Sequence, residues 1–407
     1  MSLFAALRLP REILFGNGQR AALGAVAGRL GSRALVCTDA RLSGSADFQA
    51  MIADLEAHGL AVRIDDSVLP DVPRNSASAC AEAARGFAPD VVIGIGGGSC
   101  LDMAKCAALL LSHGGTPADY YGERKVPGPV LPLVAVPTTA GTGSEVTPVA
   151  VLSDPDRLLK VGISSPHLIP QAAICDPELT ASCPPLLTAI AGADALTHAV
   201  EAFMAKRRDP TPSLAQEHVF VGKSALTDHF ALLAIELLTR SLERACRDGS
   251  DADARADVMM GALAAGCAFG TAGTAAAHAI QYPIGALTHT AHGLGVATLL
   301  PFVMTFNRPA CLPELARIAA AMGLEPQGST QDTLADRVID RIAALLSAIG
   351  IPPSLDALGL AADRRDWTAE QALGIERLIK NNPRPIDLAA MRQLVTAAFD
   401  GDRRAVN

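Results

Sequence analysis

The sequence predicts an α/β domain followed by an all-helical domain, and three observations predict it. Short apolar strands alternate with helical stretches over the first part of the chain. A glycine-rich turn lies where one of those strands gives way to a helix. Beyond the Pro184 and Pro185 pair, strand signals nearly vanish and long Ala/Leu-rich helical patterns take over. Alternation of this kind favours a parallel sheet covered by helices on both faces. The boundary is expected at residues 182–185, giving domains 1–183 and 184–407.

In the first domain, strands are expected at 34–37, 60–64, 90–95, 133–136, 149–152 and 172–175, with a helix over 76–85. In the second, helices are expected at 186–205, 224–247, 252–275, 311–322, 331–348, 367–380 and 385–399. The segment 205–223, with Lys206, Arg207, Arg208, Pro210 and Pro212, has loop chemistry and interrupts them.

Composition narrows the function classes. A net charge of −8 argues against nucleic acid or an anionic membrane as the main partner. No apolar run is expected to reach the roughly 18 residues that span a bilayer, and the first ten residues lack the order of a signal peptide. Nine cysteines are scattered without a CxxC pair, as small buried hydrophobes in a reducing compartment are. The expectation is a cytoplasmic enzyme acting on a small molecule.

Gly96, Gly97, Gly98 and Ser99 follow a strand and open a helix. Glycines let the backbone approach a pyrophosphate, and a helix N-terminus offers free N–H groups with partial positive charge. Any tight strand-to-helix junction also uses glycine, so further signals matter. Ser99 and Asp102 have the spacing of a capping box, with Asp in place of the usual Glu or Gln. Asp39, at the end of an earlier strand, is placed to accept from ribose hydroxyls and to repel a 2′-phosphate, favouring NAD over NADP. The hydroxyl-rich loop after the next strand, from Pro137 through Thr138, Thr139 and Thr142 to Glu145, lies at the carboxyl edge of the sheet, where ligands bind in open α/β sheets.

The second domain carries Asp194 and His198, four apart and so on one helix face, and later His278 and His292 in a glycine-bounded stretch. One carboxylate and three imidazoles suit a divalent first-row metal that keeps a position open for a substrate oxygen. His58, His113, His167, His218 and His229 read as ordinary surface or loop residues.

Taken together these segments resemble the iron-containing alcohol dehydrogenase family, group III of the alcohol dehydrogenases. Three blocks carry the match: Gly96 to Lys105, Pro137 to Glu145, and Gly192 to Glu201 with His278, His292 and Gly293. The resemblance extends to Asn382, Pro383 and Arg384. It implies a Rossmann-like N-terminal domain and an all-α C-terminal domain in a dehydroquinate synthase-like architecture, with the active site in the cleft between them. It implies that Asp194, His198, His278 and His292 bind Fe²⁺, or sometimes Zn²⁺, and that His289 is not a ligand. It further implies that Asp39, Gly97, Gly98, Ser99, Asp102, Thr138, Thr139 and Thr142 contact NAD, with Lys160 close by, and that the protein forms a homodimer or larger homo-oligomer.

One position departs from the pattern. Many alcohol-oxidising members carry a second His four residues after the third ligand, and this chain has Tyr282. A phenol, with a reference pKa of about 10, is a poor exchangeable base near neutrality, so Tyr282 reads either as packing or as a changed proton path. The Tyr282-Pro283 pair is similar to the hydroxyacid–oxoacid transhydrogenase branch, which acts on 4-hydroxybutyrate. Arg207, Arg208 or Lys223 of the long loop would then pair with a substrate carboxylate. The expected function is metal-dependent, NAD-linked hydride transfer between a small alcohol and its aldehyde or ketone. The alternatives are a hydroxyacid dehydrogenase or transhydrogenase, a maleylacetate reductase-like enzyme, a lyase of the dehydroquinate synthase type, and a nucleotide-binding scaffold.

Overall fold

A computed structural model describes residues 4–157, 159–325, 328 and 330–406, and the chain divides into two compact units. One unit comprises residues 8–182 with 212–219; the other comprises 183–211 and 220 onward, with the first few residues of the chain.

The α/β unit is built on a six-stranded sheet in the order β1 (Glu12–Phe15), β9 (Ala172–Cys175), β6 (Leu133–Pro137), β4 (Val91–Gly96), β2 (Arg33–Cys37), β3 (Ala61–Asp65). Every pairing in it is parallel. Strands β4 and β6 are buried along their whole length, because helices cover both faces. Successive side chains point to opposite faces, and the core divides accordingly. Leu35 and Val92 join Met103 and Leu109 on one face, while Val36 and Ile93 join Phe48 and Leu55 on the other. The order reverses at β2 and β4: the chain leaves β2 toward β3 and leaves β4 toward β6. The carboxyl ends of these two strands therefore form the crevice where such sheets bind ligands.

Three strands in this unit are additional to those expected. The edge strand β1 and the strands β5 (Gly122–Glu123) and β8 (Val161–Ser164) are two to four residues long and carry little periodic signal. The expected strand β7 (Val149–Leu152) lies outside the main sheet. It pairs antiparallel with β8 in a separate sheet ordered β5-β8-β7.

In the helical unit, Pro185–Met204 packs against Ala225–Arg247, Ala252–Ala272 and His292–Asn307. Its apolarity corrects one expectation. Among the described residues this helix is long and apolar enough to cross a membrane, with mean hydropathy 1.2, yet 78% of that window is buried. A helix apolar all round is what the centre of a helical domain requires. The bent pair Ala252–Ala272 and Ala276–Thr288 passes the same test only if taken as one span.

The expected helix 252–275 stops at Gly273 (φ 81°), and the chain bends by 100° before Ala276–Thr288 begins. That helix and His292–Asn307 are both additional to the expected set. Pro283 and Pro301 lie inside them, and glycines punctuate both, so the local sequence reads as broken while burial holds it helical. The expected helix 367–380 is two, Arg365–Leu373 and Glu376–Asn381, parted at Gly374 and Ile375.

Candidate metal centre and dinucleotide turn

Asp194 and His198 stand one turn apart on Pro185–Met204, His278 near the start of Ala276–Thr288, and His292 at the first position of His292–Asn307. One ligand atom from each lies within 4.8 Å of all the others. Asp194, His198 and His278 are buried, and His292 is partly exposed. His198 Nε2 is 3.8 Å and His292 Nε2 3.9 Å from Asp194 Oδ1. The His198 ring stacks on Phe269, with centroids 4.0 Å apart. Gly293 permits this approach: a Cβ there would lie 2.4 Å from the Ile190 carbonyl oxygen and 2.9 Å from Asp194 Cβ.

Glu201, two turns after Asp194 on the same face, orients the cluster. One carboxylate oxygen accepts from His278 Nδ1 at 2.6 Å and from the Ala275 N–H at 2.8 Å, and the other accepts from the Ala277 N–H at 2.7 Å. It thereby caps a helix that has no side-chain cap of its own. A carboxylate only accepts, so Nδ1 carries the proton and Nε2 presents its lone pair. That Nε2 is buried with no hydrogen-bond partner among the described residues. An unfilled acceptor of this kind, facing one carboxylate and two further imidazoles, fits a divalent metal such as Fe²⁺ or Zn²⁺. Glu201 was not singled out from sequence, although its spacing after Asp194 and His198 in an otherwise apolar helix is a readable signal.

In the α/β unit, the sequence-selected residues gather at the ends of β2, β4 and β6. Gly96 (φ 149°) makes the turn, and a Cβ on it would meet Cys100 Sγ at 2.4 Å. Gly97 and Gly98 face the threonine loop: a Cβ on Gly97 would lie 3.5 Å from Thr139, and one on Gly98 only 2.7 Å from Thr142 Cγ2. Asp39 caps the short helix Ala40–Ser43, one oxygen accepting from the Arg41 and Leu42 N–H groups at 3.0 Å, while its other oxygen lies 3.8 Å from Cys100 Sγ. Lys160 Nζ pairs with Asp71 at 2.6 Å, and the Asp71 N–H donates to Ser99 Oγ, which links Lys160 to the turn.

The capping box expected of Ser99 and Asp102 does not form. The helix Gly98–His113 starts from Gly97 with no side-chain cap, and Asp102 turns elsewhere. Its oxygens accept from Ser144 Oγ at 2.6 Å and the Val151 N–H at 3.0 Å. Burial raises its pKa, opposed by Lys105 and these bonds. Lys105, buried one turn on, donates to Ser144 Oγ and to the carbonyls of Thr147 and Val149 at 2.7–3.0 Å. Desolvation lowers its pKa to about 8. Asp102 and Lys105 thus staple the threonine loop to the helix of the glycine turn.

Comparison with known proteins agrees with this geometry. Residues 10–177 match the family model "Iron-containing alcohol dehydrogenase", and residues 188–399 match "Fe-containing alcohol dehydrogenase family, C-terminal". The chain belongs to the iron-containing alcohol dehydrogenase family. The long-chain-alcohol dehydrogenase 1 of Geobacillus thermodenitrificans is 37% identical over 92% of this chain and 91% of that protein. A crystal structure of 1,3-propanediol oxidoreductase superposes with TM-score 0.90 at 32% identity, covering 97% of this chain and all of the other. The sulfoacetaldehyde reductase of Bifidobacterium kashiwanohense, solved in complex with NAD⁺, gives 0.82 at 28% identity, over 98% of this chain and 99% of its own.

Within this family member, Tyr282 sits beside the cluster, its ring 6.1 Å from that of His292. Burial pushes its phenol above the ordinary value, opposed by Arg377. It therefore stays protonated near neutrality and is a hydrogen-bond donor there. The basic residues of the 205–223 loop make ion pairs within the chain. Asp228, buried, takes Arg207 at 3.0 Å, Arg317 at 3.3 Å and Lys223 at 3.5 Å, and Lys223 also reaches Glu314 at 3.2 Å. Arg207 and Lys223 thus already have carboxylate partners within the chain.

Proposed function

We propose that the enzyme interconverts a small primary alcohol and its aldehyde, passing hydride to and from NAD, at a divalent metal held by Asp194, His198, His278 and His292. The observation that carries this reading is the four-ligand cluster with its Glu201-oriented imidazole. Bound there, Fe²⁺ supplies a Lewis acid for the substrate oxygen, and Zn²⁺ competes for the same ligands on affinity. His198 is held by its stack on Phe269 and His278 by Glu201, so both imidazoles are preset for that ion. Tyr282, beside His292, is available there as a hydrogen-bond donor.

The dinucleotide role falls to the α/β unit. The N–H groups at Gly97, Gly98 and Ser99 receive the pyrophosphate at the start of Gly98–His113. Asp39 retains one oxygen beyond its cap for a ribose hydroxyl, which favours NAD over NADP. Thr138, Thr139 and Thr142 line the opposite wall, Lys160 stands behind Ser99, and Asp102 acts through the loop it staples. The reading includes a cytoplasmic homodimer or larger homo-oligomer, without nucleic-acid or membrane partners; nine scattered cysteines without a CxxC pair fit a reducing compartment.

His278→Ala tests the assignment. Loss of bound metal and of alcohol-dependent NAD reduction, with NADH binding retained, is expected; unchanged metal content or turnover overturns the ligand set. The intact cluster weighs against a maleylacetate reductase-like enzyme working without metal. Membership in an alcohol dehydrogenase family weighs against lyase and scaffold readings. What differs among relatives is the rest of the substrate: one is named for long-chain alcohols and another for sulfoacetaldehyde.

A further inference from the structure

His278 follows a turn that two distant side chains hold from opposite sides. Ala252–Ala272 ends at Gly273 (φ 81°), the chain bends by 100°, and Ala276–Thr288 starts from Ala275 with no side-chain cap. Glu201 accepts from the Ala275 and Ala277 N–H groups at 2.8 and 2.7 Å. Asn381 answers the carbonyls of the same turn. Its Nδ2 donates to the Ala272 and Thr274 oxygens at 3.0 Å each, from 109 and 107 residues downstream. Carbonyls only accept, so the amide nitrogen must face them, and both of its hydrogens are used. The amide is buried and closes over the turn: a Cβ on Gly273 would lie 3.1 Å from Asn381 Nδ2.

Asn381 is itself anchored. Its helix, Glu376–Asn381, packs against Ala276–Thr288, and its carbonyl accepts from the Lys206 N–H at 2.9 Å, just beyond the helix of Asp194, His198 and Glu201. Asn382 and Asn307 exchange two hydrogen bonds of 2.7 and 2.9 Å, and Arg384 donates to the Phe306 carbonyl at 2.8 Å. The segment 381–384 is thus bonded beside one end of each ligand-bearing helix. Hydride transfer as derived above gives it no task. Only the Asn381 contact lies near a ligand: Thr274 stands four residues before His278, whereas Asn307 stands fifteen after His292.

We propose that Asn381 is a positioning residue for the metal. With Glu201 it presets the turn before His278, so the imidazole stands in place before an ion arrives. This rests on the metal-dependent reading above and adds to it a residue that touches neither ligand atoms nor substrate. Without Asn381 two buried carbonyls lack donors, and the turn must shift to find others.

Asn381→Leu keeps the shape and removes both donors. Metal affinity, read by competition with a chromophoric chelator, should fall about 10-fold or more, the effect of losing support behind a ligand. The visible absorption of the cobalt(II)-loaded protein, which reports ligand geometry, should shift with it. Asn307→Leu is the comparison, since it removes an equally buried amide at the far end of the other helix. It should lower the melting temperature yet leave the cobalt spectrum unchanged and the affinity within about twofold of wild type. Asn381→Ser, whose small hydroxyl leaves room for water at the carbonyls, is read the same way if Asn381→Leu does not fold. Affinity within about twofold of wild type in the Asn381 variant, or equal metal loss in the Asn307 variant, overturns the proposal and leaves the ligand set standing. A wild type that binds no metal sinks both. Hydrogen exchange in the wild type gives a second readout. Protection of the Ala275 and Ala277 N–H groups should stay within about threefold when the metal is chelated away; a larger loss shows that the ion, not the side chains, orders the turn, and overturns the proposal.

Discussion

Removing Glu201 should weaken metal binding and the helix that carries His278 together, because one buried carboxylate serves both. It accepts three hydrogen bonds of 2.6–2.8 Å, from His278 Nδ1 and from the Ala275 and Ala277 N–H groups. Glu201→Ala leaves all three donors buried without acceptors. At about 1 kcal/mol each, the low end for an unsatisfied buried donor, the loss is about 3 kcal/mol. Glu201→Gln is the sharper probe, since a carboxamide has a single acceptor oxygen. Turned one way, its NH₂ faces the Ala277 N–H; turned the other, it faces both Ala275 N–H and His278 Nδ1. At least one donor is left opposite another donor in either case. Freeing His278 from its partner should weaken metal binding by about 10- to 100-fold. The assay is competition against a chromophoric chelator under anaerobic conditions, with thermal melting of the metal-free protein alongside. A Glu201→Gln protein whose metal affinity stays within about twofold of wild type, and whose metal-free melting is unchanged, refutes the argument.

Two other outcomes can be checked with simple substitutions. Gly293→Ala places a Cβ 2.4 Å from the Ile190 carbonyl oxygen, backbone that moves only if the Pro185–Met204 helix shifts; metal affinity should fall about 10-fold or more, and wild-type metal retention would refute the close approach. Glu145 is buried and its pKa is raised from 4.5 to about 7 by desolvation, so the folded state holds a proton that the unfolded state has released between those values. The stability from that proton is full below pH 4.5 and is lost as pH rises through 7, an effect of about 3 kcal/mol. Glu145→Gln should therefore gain stability relative to wild type between pH 5 and pH 8, measured by denaturant unfolding; a difference independent of pH counts against the burial argument.

Legibility followed the range of the signal. The central strands announced themselves as short apolar runs, and Asp194 with His198 declared a shared helix face through spacing alone. The helices around His278 and His292 did not, because Pro283, Pro301 and several glycines contradict local propensity, and only burial on several sides keeps them helical. The short strands β1, β5 and β8 depend on neighbours far away in sequence for their hydrogen bonds.

Chemistry-bearing residue types, their order and their local spacing were determined by the sequence itself: a glycine turn after a strand, a hydroxyl loop, a carboxylate and three imidazoles. Partnership was decided by the tertiary structure. It gave the Asp102 oxygens to Ser144 and Val151 in place of a helix cap, and it paired Arg207 and Lys223 with Asp228. It also set Glu201 behind His278. A charge or a lone pair acts over a few ångströms, and residues 77 apart, such as Glu201 and His278, come within that range only when the chain has folded.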